Sequence, residues 1–187
     1  MTPARNGRHD REHIVGVALD LLDRYGLPDL TMRRLAAELE VQPSALYWHF
    51  ASKQDLLAAV ADRILERIPA PQGDLLATAR RVRDALLAYR DGAEVVLSSA
   101  ALRPGPSRAH EALRAALGES APGGADIAAT AVLQFILGHT SLVQQRMHGE
   151  SHGAAADAPD QDAAVFDAGI LMLTRGAGAA DPIAARG

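Results

Sequence analysis

From Arg11 onward, apolar residues recur at intervals of three and four, and no stretch of the chain alternates with a period of two. Ile14, Val17, Ala18, Leu21, Leu22 and Tyr25 fall on one stripe of a helix turning about 100° per residue. "GLPDLT" then breaks the pattern: Gly26 follows the last periodic residue, and Pro28 forbids continuation. Thr31 is a good N-cap for a second helix whose Leu35, Ala36 and Leu39 face inward. After "EVQP" a third helix carries Pro43 in its first turn, where the missing N–H is harmless. Ser52, with Asp55 three residues on, reads as a capping box opening a fourth helix through Leu56, Val60, Ile64 and Ile68. Further helices are expected near 74–90, 92–101, 107–117, 127–147 and 163–174, with "GESHGAAADAPDQD" as a mobile loop. The predicted class is all-α. One domain is expected over residues 10–66, with a helix-turn-helix at about 31–50, and a second over 74–178; 1–9 and 179–187 read as flexible termini.

Composition narrows the functional classes. Apolar residues make up 48% and charged residues 22%, ordinary for a soluble protein. There is no cysteine, which removes disulfides and thiolate chemistry and is compatible with a cytoplasmic location. The amino-terminal arginines have no apolar run behind them, so no signal peptide is expected. Ile127 to Gln145 is free of formal charge, but its Gln134, His139, Thr140, Ser141, Gln144 and Gln145 are costly for a lipid-facing span; a buried soluble helix is expected, and no membrane partner. The net charge of −4 is not that of a bulk polyanion binder. Any contact with nucleic acid must come from a local surface.

The segment "VQPSALYWHFASKQDLL" offers such a surface. Three of the chain's seven aromatic residues lie in it, with the only lysine. On a wheel with Leu46 pointing inward, Phe50 lies about 40° away, while Ser44 and Trp48 point outward, flanked by Tyr47 and Ala45. A large aromatic on the outer side of a short helix needs a reason, and a helix-turn-helix presenting that helix to the major groove supplies one. Trp48 and Ala45 would then meet thymine methyls, Ser44 base edges or phosphate, and the Tyr47 hydroxyl a phosphate. Lys53 starts the next helix, where a phosphate is favoured; Pro43 opens the reading helix, and Arg33 and Arg34 sit near the backbone. The plain alternative is that Tyr47 and Trp48 pack against neighbouring helices. His49 serves a phosphate or simply fills the surface.

"LTMRRLAAELEVQPSALYWHFASKQDLLAAVADRIL" resembles the DNA-binding segment of TetR-family repressors: a threonine-capped helix, then the pattern "LYxHFxSKxxLL". Thr31, Leu35, Ala36, Leu39, Val41, Leu46, Tyr47, His49, Phe50, Ser52, Lys53, Leu56 and Leu57 carry the match. Glu40 departs from it, standing where the family usually has glycine in the turn. "RRVRDALLAYRDGAEVVLSSAALRPGP", "LQFILGH" and "FDAGILMLTRG" are similar to segments of the tetracycline-repressor branch. The resemblance implies a homodimer built through the last two long helices. It also implies a small-molecule inducer in each subunit and a double-stranded DNA operator.

The branch's metal-chelated drug site does not carry over. Its metal-binding histidine would fall at Val96, its second pocket histidine at about Pro69, and its glutamate near Leu142 or Val143. Hard divalent ions need oxygen or imidazole donors, so no metal and no cofactor is expected, and a less polar inducer. Candidate ligand contacts are Val82, Tyr89, Val96, Arg103, Gln134, Phe135, His139 and Leu142. For the apolar ones a core or dimer role stays open, and for Arg103 and His139 a surface or helix-end role. His110, His148 and His152 have no metal-ligand spacing and are expected at the surface.

Two other readings remain. An enzyme would need a nucleophile with its base, and His139 and Ser141, two apart, lie on different helix faces. A regulator with a protein effector or none would have its interior filled by side chains.

Overall fold

The computed structural model describes residues 10–68, 74–102, 107–118, 124–150 and 159–175. Among these the chain is helical, without strands: α1 (Arg11–Tyr25), α2 (Met32–Glu38), α3 (Pro43–Leu46), α4 (Lys53–Leu65), α5 (Leu75–Leu87), α6 (Gly92–Leu102), α7 (Arg108–Leu117), α8 (Ala125–Glu150) and α9 (Pro159–Arg175). The expected termini, and the middle of the loop expected after α8, lie outside the described residues. Two compact units result. One holds α1 to α4, the end of α5 from Ala85, and α6; the other holds α5 up to Asp84 with α7, α8 and α9.

The first unit is built on the stripe read from the sequence. Ile14, Ala18, Leu21 and Leu22 of α1 are buried with Leu35, Leu46, Phe50, Leu56, Val60 and Ile64. Each large aliphatic group so buried contributes about 1.5–3 kcal/mol. Capping sets where the helices begin. The Arg34 N–H donates to Thr31 Oγ1 at 3.1 Å, and the Asp55 N–H to Ser52 Oγ at 3.1 Å. Asp55 completes a variant of the reciprocal cap, its Oδ2 accepting the Ala51 N–H at 3.2 Å. Helix α2 ends in a Schellman motif: the Val41 N–H reaches the Ala36 carbonyl at 2.9 Å and the Glu40 N–H that of Ala37 at 3.1 Å. Glu40 is the left-handed residue of that motif, at φ 55°.

A second joint links the start of α6 to the turn after α1. Asp91 Oδ2 accepts the Leu27 N–H at 2.7 Å, and Asp23 accepts the Arg90 N–H at 3.3 Å. At Gly26, with φ 83°, a β-carbon would stand 2.9 Å from that Asp91 oxygen, so the close approach depends on glycine.

In the second unit α8 packs on α7 and α9. Ala129, Val132, Ile136 and Leu137 are buried with Ala109, Leu113, Phe166 and Ile170. Gly169 lets the Phe135 ring lie against the α9 backbone, where a β-carbon would come within 2.2 Å of it. By length and composition alone, Ala125–Gly149 could cross a membrane. His110 is half-buried, not free at the surface as expected: its Nε2 lies 3.2 Å from the Asp126 carbonyl and 3.1 Å from Thr130 Oγ1. Helix α9 begins four residues earlier than its apolar pattern, because Pro159 is tolerated at a first helical position.

Candidate nucleic-acid interface

The helix-turn-helix is α2, the Schellman turn and α3. Helix α3 is short: Leu46 is its last residue, and the His49 and Phe50 N–H groups fold back onto the Leu46 carbonyl, both at 2.9 Å. This further turn sends Leu46 and Phe50 inward, at 1% and 0% exposure, and leaves Trp48 90% and Tyr47 53% exposed. The inward-packing alternative for these two rings therefore fails. Pro43, Ser44 and His49 are also exposed; Ala45 and Lys53 are half-buried.

The two arginines of α2 differ. Arg33 is exposed. Arg34 is half-buried, 2.9 Å from Asp29 and stacked over the Tyr25 ring at 4.6 Å, so its charge is already engaged. Arg11 at the start of α1 is a feature that the sequence pattern did not reveal. Its guanidinium donates to the His49 carbonyl at 2.5 Å, lies 4.2 Å over the Phe50 ring and pairs with Asp55 at 3.4 Å. One side chain thus ties the turn carrying Tyr47 and Trp48 to both α1 and α4.

Residues 14–60 match the sequence profile described as bacterial regulatory proteins, tetR family. The class A tetracycline repressor from transposon 1721 of Escherichia coli is 45% identical over 101 residues, 49% of this chain but only 45% of the repressor's length. The Escherichia coli class D tetracycline repressor is 34% identical over 169 residues, 83% of this chain and 75% of that one. This chain belongs to the TetR family.

Among solved structures, BioQ in complex with its double-stranded DNA operator is 37% identical and superimposes with a TM-score of 0.74, over 92% of this chain and 99% of that one. TetR-family proteins are transcriptional regulators, which sets the enzyme reading aside.

The ligand candidates of this TetR-family chain are spread over both units. Tyr89 and Val96 belong to the first, where Val96 is buried and Arg67 stacks over the Tyr89 ring at 5.2 Å. Val82, Gln134, Phe135, His139 and Leu142 belong to the second. There the rings of Phe135, His139 and Phe166 meet, with centroids 5.4–5.9 Å apart, and Arg83 lies 4.6 Å over Phe166. Burial is the largest cause lowering the pKa of His139, and Arg83 and Arg146 add to it against Asp162. Val82 is fully buried, whereas Gln134 and Leu142 are exposed. Arg103 and Pro69 lie outside the described residues. Among the described residues no three His, Asp or Glu side chains converge as a metal site.

Proposed function

We propose that this protein is a ligand-responsive transcriptional repressor that binds a palindromic operator as a two-fold dimer and leaves it when a small, largely apolar molecule binds. The observation that carries the reading is the outward display of Trp48 and Tyr47 on a turn whose inner side chains are fully buried. An exposed indole costs solubility unless a partner covers it. In the major groove Trp48 and Ala45 meet thymine methyls, Ser44 a base edge, and Tyr47, His49, Lys53 and Arg33 the phosphates, with Pro43 setting the helix start. Arg34 acts mainly by bracing α2 against Tyr25 and Asp29.

The dimer forms through α8 and α9, whose Ile127, Leu142, Met147, Val165 and Met172 are all more than half exposed in the single chain. Leu142 and Gln134 fit that interface better than a ligand site. Phe135 and His139, beside Phe166, supply a flat aromatic contact and one polar handle for an inducer. The regulator works in the cytoplasm, where its DNA is.

A gel-shift titration against DNA flanking the protein's own gene tests the reading. Binding to a palindrome with half-sites about one helical turn apart, weakening as salt rises, is expected. Failure to shift any sequence at low salt would reject it.

A further inference from the structure

Helix α3 is short, and Tyr47, Trp48 and His49 stand on the single turn that follows it. Leu46 and Phe50 anchor that turn from within. Two anchors define a line, and the outward side chains can still swing about it. Arg11 supplies a third point of attachment, through the His49 carbonyl at 2.5 Å, the Phe50 ring at 4.2 Å and Asp55 Oδ1 at 3.4 Å. We propose that Arg11, held by Asp55, is a positioning residue for base reading: it sets the tilt of the turn bearing Tyr47 and Trp48 relative to Lys53 at the start of α4. The assignment rests on the repressor reading above.

Both ends of the brace are fixed. At its base, Asp10 caps α1 by accepting the His13 N–H at 2.7 Å, and Glu12 pairs with Arg63 of α4 at 3.0 Å. At its far end, Asp55 accepts the Ala51 N–H through Oδ2 at 3.2 Å while Oδ1 faces the guanidinium. The Asp55 N–H is itself bonded to Ser52 Oγ at 3.1 Å. One carboxylate therefore caps α4 and orients Arg11 at once. A planar guanidinium can lie on a ring and donate along its edge in the same pose, which a lysine ammonium does not reproduce.

This role is separable from a share in folding. The Arg11 and Asp55 side chains are 51% and 40% exposed, and exposed ion pairs add little to global stability. What the brace controls is alignment. A lysine on a flexible stem follows a phosphate even when the turn tilts. Contacts of Trp48, Ala45 and Ser44 with base edges and methyl groups do not survive the same tilt, because they are made at van der Waals or hydrogen-bond distance. Loss of the brace should therefore cost discrimination between operator and other DNA, with binding to DNA at large retained.

The experiment uses the full-length protein with two variants. Arg11→Lys keeps the charge, and Asp55→Asn keeps an acceptor for the Ala51 N–H while releasing the guanidinium. Affinities for the operator and for a scrambled duplex of equal length are measured side by side. Trp48, the chain's only tryptophan, is followed by time-resolved anisotropy in the free protein. In both variants operator affinity should fall at least about tenfold, with affinity for the scrambled duplex within about threefold of the wild type. Trp48 should gain local motion on the nanosecond scale. Circular dichroism shows whether each variant folds; if Arg11→Lys does not, Asp55→Asn decides alone. An unchanged ratio of the two affinities would overturn the proposal. So would a lowered ratio with Trp48 as rigid as in the wild type, which would make Arg11 a direct base contact. A wild type that binds no DNA would instead sink the repressor reading, leaving the anisotropy of the variants to judge the brace.

Discussion

At the scale of single residues, the turn between α2 and α3 shows how far a sequence speaks and where it stops. Thr31, Ser52 and Pro43 marked helix starts, because capping chemistry is local and only a few residue types perform it. The outward course of Trp48 followed from the spacing of Leu46 and Phe50. Glu40 could be flagged as a departure, and its φ of 55° locates the cost in the backbone. Glycine relieves that strain but adds freedom to the unfolded chain, so Glu40→Gly should stabilise the protein by about 0.5–1 kcal/mol. Urea unfolding midpoints check this, and an unchanged or lower midpoint contradicts it. Arg11 was not legible: nothing in "REHIVG" announces a partner 38 residues away, because that contact depends on tertiary packing. Lys53→Ala should weaken binding to all DNA sequences alike and lower the salt slope by about one contact; a selective loss at one base pair would argue for direct base reading instead.

At the scale of elements, the helix count and class were readable because the 3.6-residue period persists for most of the chain. Ends were less so. Helix α3 stops at Leu46, and α9 starts at Pro159, positions decided by turns and caps more than by apolar spacing. The segment "YRDGA" was visible only as a resemblance; its physical task is to aim Asp91 at the turn after α1. A partly buried, charge-assisted bond of this kind is worth about 1.5–3 kcal/mol. Asp91→Ala should therefore destabilise the first unit by about that amount and speed hydrogen exchange at the Leu27 N–H. Unchanged exchange at Leu27 would show that the bond is not made in solution.

For the whole molecule, the apolar faces of α8 and α9 could be named from the sequence, but apolar residues alone do not tell interface from pocket. Exposure separates some of them: Leu142 is 61% and Met172 74% exposed, whereas Ile136 and Phe166 are fully buried. Leu142→Glu with Met172→Glu should yield a folded monomer by light scattering, with operator affinity reduced far more than tenfold, since a palindrome needs both halves. A variant that stays dimeric places the interface elsewhere. The second unit should also respond to pH. Burial lowers the His139 pKa in the fold, so the neutral ring stabilises the protein fully above the ordinary value of 6.5. That contribution is lost as pH falls through the lowered folded value. Between about pH 7.5 and about pH 5 the wild type should lose more stability than His139→Gln, as urea midpoints will show. The central claim concerns Tyr47 and Trp48, and it is tested by operator titration of the Tyr47→Ala/Trp48→Ala double variant beside the wild type. The prediction is a folded dimer of unchanged helicity whose operator affinity has dropped by more than about 2 kcal/mol. A double variant that still binds the operator as tightly as the wild type would contradict the account.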